Sequence, residues 1–157
     1  MTITNSTISN SSAASGGGIA VTGGRATVNN STVSFNSSSS EGGGIFNSGT
    51  LMVNSSTFLG NVTGDRGGGI SNNRMTTVIN STLFDNSSDL GGGGIYNYGN
   101  TVNVIHSTVY SNSSNFGGAN IGSISEPGDV TAITNTIVAD STVSGFGTLT
   151  DLSLIHI

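Results

Sequence analysis

The chain contains no cysteine, no tryptophan, no lysine and a single proline. Without cysteine there is no disulfide framework; the absence suits many bacterial exported proteins but names no compartment. Charge is scarce as well. Charged residues make up 7% of the chain, the only cations are Arg25, Arg66 and Arg74, and the net charge is -5. A surface that grips phosphates needs clustered Lys and Arg, so neither nucleic acid nor an anionic membrane is an expected partner. Strong helix formers are nearly missing, which excludes an ordinary helical or α/β domain. No apolar run approaches the roughly 20 residues of a membrane-spanning helix. A signal peptide is lacking too. Met1 leads straight into Thr2-Ile3-Thr4-Asn5-Ser6-Thr7, so the N-terminus is expected to be internal to a longer protein.

What is abundant is glycine, 25 of 157 residues, together with Ser, Thr and Asn. Such a composition can signal disorder. Against that, 33% of residues are hydrophobic and the β-branched Ile, Val and Thr are plentiful, as they are in strands. The stretch Leu152-Ser153-Leu154-Ile155-His156-Ile157 departs from this composition. In one frame it reads as the translation of a transposase adapter used in DNA library preparation. We set residues 152–157 aside as one sets aside a cloning scar, the alternative being a natural hydrophobic tail. Residues 1–151 are then expected to be a single domain, part of a longer protein.

The glycines fall in a repeat. Gly16-Gly17-Gly18-Ile19, Gly42-Gly43-Gly44-Ile45, Gly67-Gly68-Gly69-Ile70 and Gly92-Gly93-Gly94-Ile95 are one phrase, and Gly117-Gly118-Ala119-Asn120-Ile121 is a degenerate fifth copy. The Ile positions lie 25 or 26 residues apart. A second column is Thr7, Thr32, Thr57, Thr82 and Thr108, each followed by an apolar residue: Ile8, Val33, Phe58, Leu83, Val109. A third is Asn10, Asn36, Asn61, Asn86 and Asn112, and a fourth is Asn47, Asn72 and Asn97. Several columns held in register mark a solenoid rather than low complexity.

The period converts to geometry. Each unit holds three strand-like pieces, in one unit Thr50 to Asn54, Ser56 to Leu59 and Gly69 to Asn72, separated by polar or Gly-rich turns. None is long enough for a stable helix. One unit has too few apolar residues to bury a core alone, but stacked units pair each strand with its equivalent about 4.8 Å away. The expected fold is therefore all-β: a right-handed parallel β-helix of about 25 residues per coil and five to six coils. The Ile column should point inward. The glycines should allow sharp bends and close approach. Stacked Asn side chains should bond one another in ladders. If Phe58 points inward then Thr57 points outward, which makes Thr32, Thr57, Thr82 and Thr108 a candidate exposed binding stripe. Past Gly122 the pattern loosens. Glu126-Pro127-Gly128-Asp129 reads as a turn insertion, and a last coil is expected over Val130 to Val138, with Asn135-Thr136-Ile137 echoing the Asn-Ser-Thr phrase 28 residues after Thr108.

Gly-Gly-Gly-Ile, combined with an apolar residue and a following Asn as in Phe58-Leu59-Gly60-Asn61 and Phe84-Asp85-Asn86, resembles the polymorphic outer membrane protein repeats. It also resembles the wider group of bacterial right-handed β-helix repeat proteins with surface anchors. The likeness covers roughly residues 1 to 140, and two copies depart from Phe-x-x-Asn by beginning with Leu83 and Val109. It implies an exported passenger at the extracellular or outer-membrane surface. The function it implies is a non-catalytic scaffold, stalk-like or adhesin-like, whose partners would be carbohydrate or a host or neighbouring cell surface.

Other β-helices are polysaccharide lyases or glycoside hydrolases, chemistry that needs clustered carboxylates or a basic residue. Here the carboxylates are Glu41, Asp65, Asp85, Asp89, Glu126, Asp129, Asp140 and Asp151. Asp85 and Asp89 could share a cation around a turn, although solvated loop carboxylates are the plainer reading. Glu41 and Arg66 occupy one column a coil apart with Asp65 adjacent, which suggests a surface ion pair or, alternatively, a catalytic Arg. His106 is read as a tolerated turn substitution. The triple glycines lack the Lys and helix of a phosphate loop and the Asp of Ca²⁺-binding repeats. No catalytic residue, metal or cofactor is assigned; an active site, if there is one, would lie in other coils. Asn-x-Ser/Thr sequences at Asn5, Asn30, Asn61 and Asn80 recur at the repeat period, which favours turn chemistry over glycosylation. As an isolated fragment the chain should expose uncapped coil ends and associate end to end.

Overall fold

The structure, a computed structural model, describes residues 1–123, 130–139, 144–145 and 148–152. Among the described residues every regular element is a β-strand. In the third coil the strands are Thr50–Asn54, Thr57–Leu59, Val62–Thr63 and Ile70–Asn72. Each pairs in parallel with its equivalents in the coils on either side. Stacking builds four sheets of seven, six, five and six strands, called here sheets 1 to 4 in the order the chain visits them. The fold is a right-handed parallel β-helix of about five turns and roughly 25 residues per turn. Among the described residues no helix is long and apolar enough to cross a membrane.

The coil has four strands where the sequence suggests three. The extra one, Val62–Thr63 and its equivalents, lies within a stretch that reads as a turn. Two residues are too few to display an alternating pattern. Their strand character comes from the neighbouring coils, through Val62↔Ser37 and Val62↔Ser87.

The corner between sheets 1 and 2 is a single residue in the left-handed region: Asn5, Asn30, Ser55, Asn80, His106 and Asn135, with φ from 45° to 51°. The corner between sheets 2 and 3 is built the same way at Asn10, Phe35, Gly60, Asp85 and Ser111. Asn and Asp tolerate this conformation because their short side chains bond local backbone. The expected membership of Asn10 in the Asn column is therefore corrected. Asn10 is a corner residue with φ 56°, and Ser11 holds the slot beside Asn36, donating its N–H to Asn36 Oδ1 at 3.1 Å.

Alternation places one side of every strand inside, with the pattern half-buried, buried, half-buried along Thr50–Asn54. The core is a set of aliphatic columns. Ile45, Ile70 and Ile95 of sheet 4 are fully buried, as are Val33, Phe58, Leu83 and Val109 of sheet 2. Between these columns run polar ladders. Asn61 is fully buried. Its Oδ1 accepts the N–H and Nδ2 of Asn36 at 3.1 and 3.0 Å. Its Nδ2 donates to Val33 O and to Asn86 Oδ1, both at 2.9 Å. All four bonding capacities of the amide are thus met. Asn86 repeats the pattern toward Asn112. A second ladder joins Asn47 to Asn72 and Asn72 to Asn97, both at 2.9 Å. Thr76 stands in an inward column between the aliphatic Leu51 and Val102, a column that holds a second buried threonine at Thr131. Its hydroxyl donates to Asn72 Oδ1 at 2.8 Å and accepts from Asn47 Nδ2 at 3.0 Å.

A third ladder had no expectation attached to it. Ser31, Ser56, Ser81 and Ser107 are buried just past the first corner. Ser31 N–H donates to Ser56 Oγ at 3.1 Å, Ser56 N–H to Ser81 Oγ at 3.0 Å, and Ser81 N–H to Ser107 Oγ at 3.1 Å. Each hydroxyl donates to the carbonyl two residues back, Ser56 to Asn54 O at 2.8 Å. In the next coil Thr136 takes this place, accepting from Ser107 N–H at 3.3 Å. Ile137 therefore pairs with Thr108, so Asn135-Thr136-Ile137 stands where other coils have Asn-Ser-Thr, and the expected step of 28 residues from Thr108 is corrected to 29. The insertion at Glu126 to Asp129 and the tail from Ser153 lie outside the described residues. Leu152 closes the strand Thr148–Leu152.

The glycine phrase has two distinct requirements. Gly42 has φ 69°, which costs an L side chain of order 1 kcal/mol. A Cβ on Gly43 would lie 2.5 Å from both Gly68 O and Val62 O, and one on Gly44 would lie 2.5 Å from Gly69 O. In the degenerate copy the third glycine is replaced. Asn120 sits where other coils have Gly18, Gly44, Gly69 and Gly94, and its side chain enters the Asn ladder. Its Oδ1 accepts Asn112 N–H at 3.2 Å and Asn112 Nδ2 at 2.8 Å. Its Nδ2 donates to Ala139 O at 2.7 Å, as Asn112 Nδ2 does to Tyr110 O.

Two substitutions test these roles. Asn61→Ala leaves several buried groups unpaired and should cost about 3 kcal/mol in urea unfolding. Asn120→Gly restores the repeat's usual residue yet should destabilise, with faster amide hydrogen exchange confined to Asn112 and to residues 130–139.

Candidate functional site

The threonine stripe is a true ladder. Thr7, Thr32, Thr57, Thr82 and Thr108 are consecutive partners in sheet 2. Thr57 points away from the buried Phe58, and Thr32, Thr57, Thr82 and Thr108 are half-buried between their neighbours. The ladder passes to Ile137 in the sixth coil. The other outward column of the same sheet runs Ser9, Ser34, Leu59, Phe84, Tyr110 and Ala139. It is not a second threonine column. The Phe84 and Tyr110 rings stack at 5.3 Å with planes 5° apart, and Phe35, 57% exposed, stands at the adjoining corner. The face is thus hydroxyl-bearing along one column and changes from serine to aromatic along the next.

The Asn and Gly positions singled out in the sequence have no free chemistry. Asn36, Asn47, Asn61, Asn72, Asn86, Asn97 and Asn112 are all buried with amides committed to the ladders. The Asn-x-Ser/Thr sequences split accordingly. Asn61 is a ladder residue, whereas Asn5, Asn30 and Asn80 are exposed corner residues.

The titratable candidates are dispersed. Asp85 is a corner residue, and Asp89 Oδ1 accepts from Asn115 Nδ2 at 3.0 Å one coil on. Among the described residues no three of His, Cys, Asp and Glu are grouped as a metal site would require. His106 is a corner residue whose Nε2 lies 3.0 Å from Asn135 Nδ2. Glu41 and Arg66 do occupy one column, Gly42 N–H donating to Arg66 O at 3.0 Å. The expected pairing is corrected, however. Arg66 Nη1 makes its ion pair with Asp65 Oδ1 at 3.2 Å, and Glu41 Oε2 accepts from Asn73 Nδ2 at 3.4 Å. The guanidinium also lies over two rings, 5.3 Å from the Tyr96 centroid and 5.9 Å from that of Tyr98. The sequence reading missed this contact, although Tyr96 and Tyr98 flank Asn97 and so alternate on the outward side. An open groove of about 300 Å³ runs beside sheet 1 between Gly49, Thr50, Arg74, Met75, Asn100 and Thr101. It contains none of the residues singled out in the sequence.

Burial raises the Glu41 carboxyl above its ordinary value; Asn73 and Arg66 pull it down, and Asp65 pushes it further up. A carboxyl raised on folding contributes most favourably below pH 4.5, its ordinary value, and that contribution is lost as pH rises through the folded-state value. Glu41→Gln should therefore melt higher than the parent near neutral pH, and the gap should close in acid; thermal unfolding at about pH 7 and about pH 3.5 measures it.

No protein-family model, curated protein or solved structure matches this chain.

Proposed function

We propose that the chain is a non-catalytic β-helix scaffold, part of an exported protein at the extracellular or outer-membrane surface, acting as a stalk or adhesin-like passenger. One observation carries the reading. The most regular residues of the repeat serve coil-to-coil bonding: the Asn ladders, the Ser ladder and the close-packed glycines. A repeat maintained for stacking suits a rod whose task is to hold its ends apart. The resemblance of Gly-Gly-Gly-Ile and Phe-x-x-Asn to the polymorphic outer membrane protein repeats supplies the surface setting. Carbohydrate or a neighbouring cell surface is the partner class.

Taken by itself, the isolated chain presents its first coil uncovered. The first-coil strands stand at the ends of their sheets, and Ile3 and Ile8 are only partly buried. Unpaired edges over an incompletely covered core favour end-to-end association. Light scattering across a dilution series should show linear oligomers that dissociate on dilution; a monomer at every concentration opposes this part of the proposal.

The threonine ladder supports a second reading, a face that contacts glycan or ice directly. The rival enzymatic reading, a polysaccharide lyase or hydrolase with its active residues in other coils, has its own test. The chain is incubated with polygalacturonate, with and without Ca²⁺, while unsaturated products and reducing ends are followed. The scaffold reading expects neither to accumulate. Product formation that survives repurification overturns it.

A further inference from the structure

The outward face of sheet 4 differs from the rest of the surface. In each coil the chain bends back at the first glycine of the triple, so the turn lies against that face. A Cβ on Gly67 would fall 2.6 Å from Ser71 Cα. The residue before the glycine, Arg66 in the third coil, is thereby carried over the outward residues of the sheet. In that sheet Ser71 stands between Phe46 and Tyr96. Tyr96 is fixed. Its ring packs where a Cβ on Gly91 or on Gly122 would come within 3.1 Å of it, and it is 5% exposed. Tyr98, two residues on, is 43% exposed. The two ring centroids lie 6.4 Å apart with planes at 44°, and the Arg66 guanidinium covers both.

Around this aromatic and guanidinium pair stand polar groups that their neighbours leave unsatisfied. Ser71 is fully buried, and among the described residues its Oγ has no hydrogen-bond partner. The Oδ1 of Asn73 is likewise buried and unpartnered, while its Nδ2 is held by Glu41. Asp65 pairs with Arg66. A buried polar atom without a partner costs about 1–3 kcal/mol, so two beside a single charged cluster call for a ligand or ordered water.

The geometry points to a binding site for a neutral saccharide over the outward face of sheet 4, formed by Arg66, Tyr98, Asp65, Asn73 and Glu41 above the buried Ser71. The chemistry selects the class. Carboxylate and amide oxygens accept from hydroxyl donors, and the guanidinium donates to hydroxyl oxygens. The exposed face of Tyr98 offers the apolar contact that a pyranose ring's C–H groups need. An anion is disfavoured by Glu41 and Asp65. A bare divalent cation is disfavoured by the guanidinium between them. The site rests on the surface-scaffold reading and deepens it by giving that reading's carbohydrate partner a location and a set of contacting residues. It lies in different sheets from the threonine ladder.

The test is saturation-transfer NMR on the whole chain with maltotriose, cellotriose and chitotriose, each titrated to about 10 mM. At least one trisaccharide should give a saturable signal that persists in EDTA. Tyr98→Ala should weaken it about tenfold or more, as loss of a central aromatic contact does, with little change in melting temperature because Tyr98 is an exposed side chain outside the core. Asp65→Asn should weaken it too, whereas Thr57→Ala should leave it unaltered. No saturable signal from any of the three overturns the site while leaving the scaffold reading to its own assays. A signal that needs Ca²⁺ overturns it in favour of a cation. A signal lost in Thr57→Ala but kept in Tyr98→Ala overturns it in favour of the threonine ladder.

Discussion

A side-chain amide taken out of water must recover its hydrogen bonds or destabilise the fold by several kcal/mol. Asn61 recovers all four, three of them with the preceding coil and one with the next. Only one axial position and one rotation of the next coil allow this. The ladder therefore sets register in a way that aliphatic columns cannot, since Val33, Phe58 and Leu83 would tolerate some slip against one another. The rest of the coil depends on that register. Glycine occupies the positions where carbonyls of the next coil come close, and Ser56 and its equivalents can bond the following coil only because the corners superpose.

Polar ladders also explain how so little hydrocarbon suffices. Inward positions alternate between aliphatic columns and columns of Asn, Ser or Thr, and the buried polar residues are about as many as the buried apolar ones. Neither kind could fold one coil alone. In a stack, each ladder bond is made against an identical neighbour, so adding a coil satisfies the open groups of the last. The scheme needs a stop wherever the sequence breaks. Asn120 provides one locally by reaching from the glycine position of the fifth coil into the ladder place of the sixth.

The period, the fold and the inward Ile and Asn columns were legible because they recur in identical form. What was not legible depends on one-residue offsets or on contacts between unlike residues. Asn10 looks like a ladder member by spacing, but a corner residue and a ladder residue are both commonly Asn, and only the 25-residue step from Ser11 to Asn36 separates them. The strand at Val62–Thr63 is too short for alternation and exists through its neighbours. The Ser ladder is hidden in the phrase Asn-Ser-Thr, where Ser passes for turn composition. The environment of Arg66 involves residues from several coils that share no repeated motif. Only the folded chain brings them together.

Inside and outside of such a solenoid are under different rules, and this bears on where recognition arises. An inward substitution must satisfy the coils above and below, as Thr76 does by bonding both Asn47 and Asn72. Outward residues face no such test, because each coil contacts only its neighbours and an outward change is felt locally. The outward column of sheet 4 accordingly runs Ala20, Phe46, Ser71, Tyr96, Gly122, while the inward column beside it runs through Ile at every one of these coils. Distinct chemistry therefore accumulates on outward faces at places where the repeat is broken. The broken places here are a serine between two aromatics, and an arginine in the position that the next coil gives to Gly91.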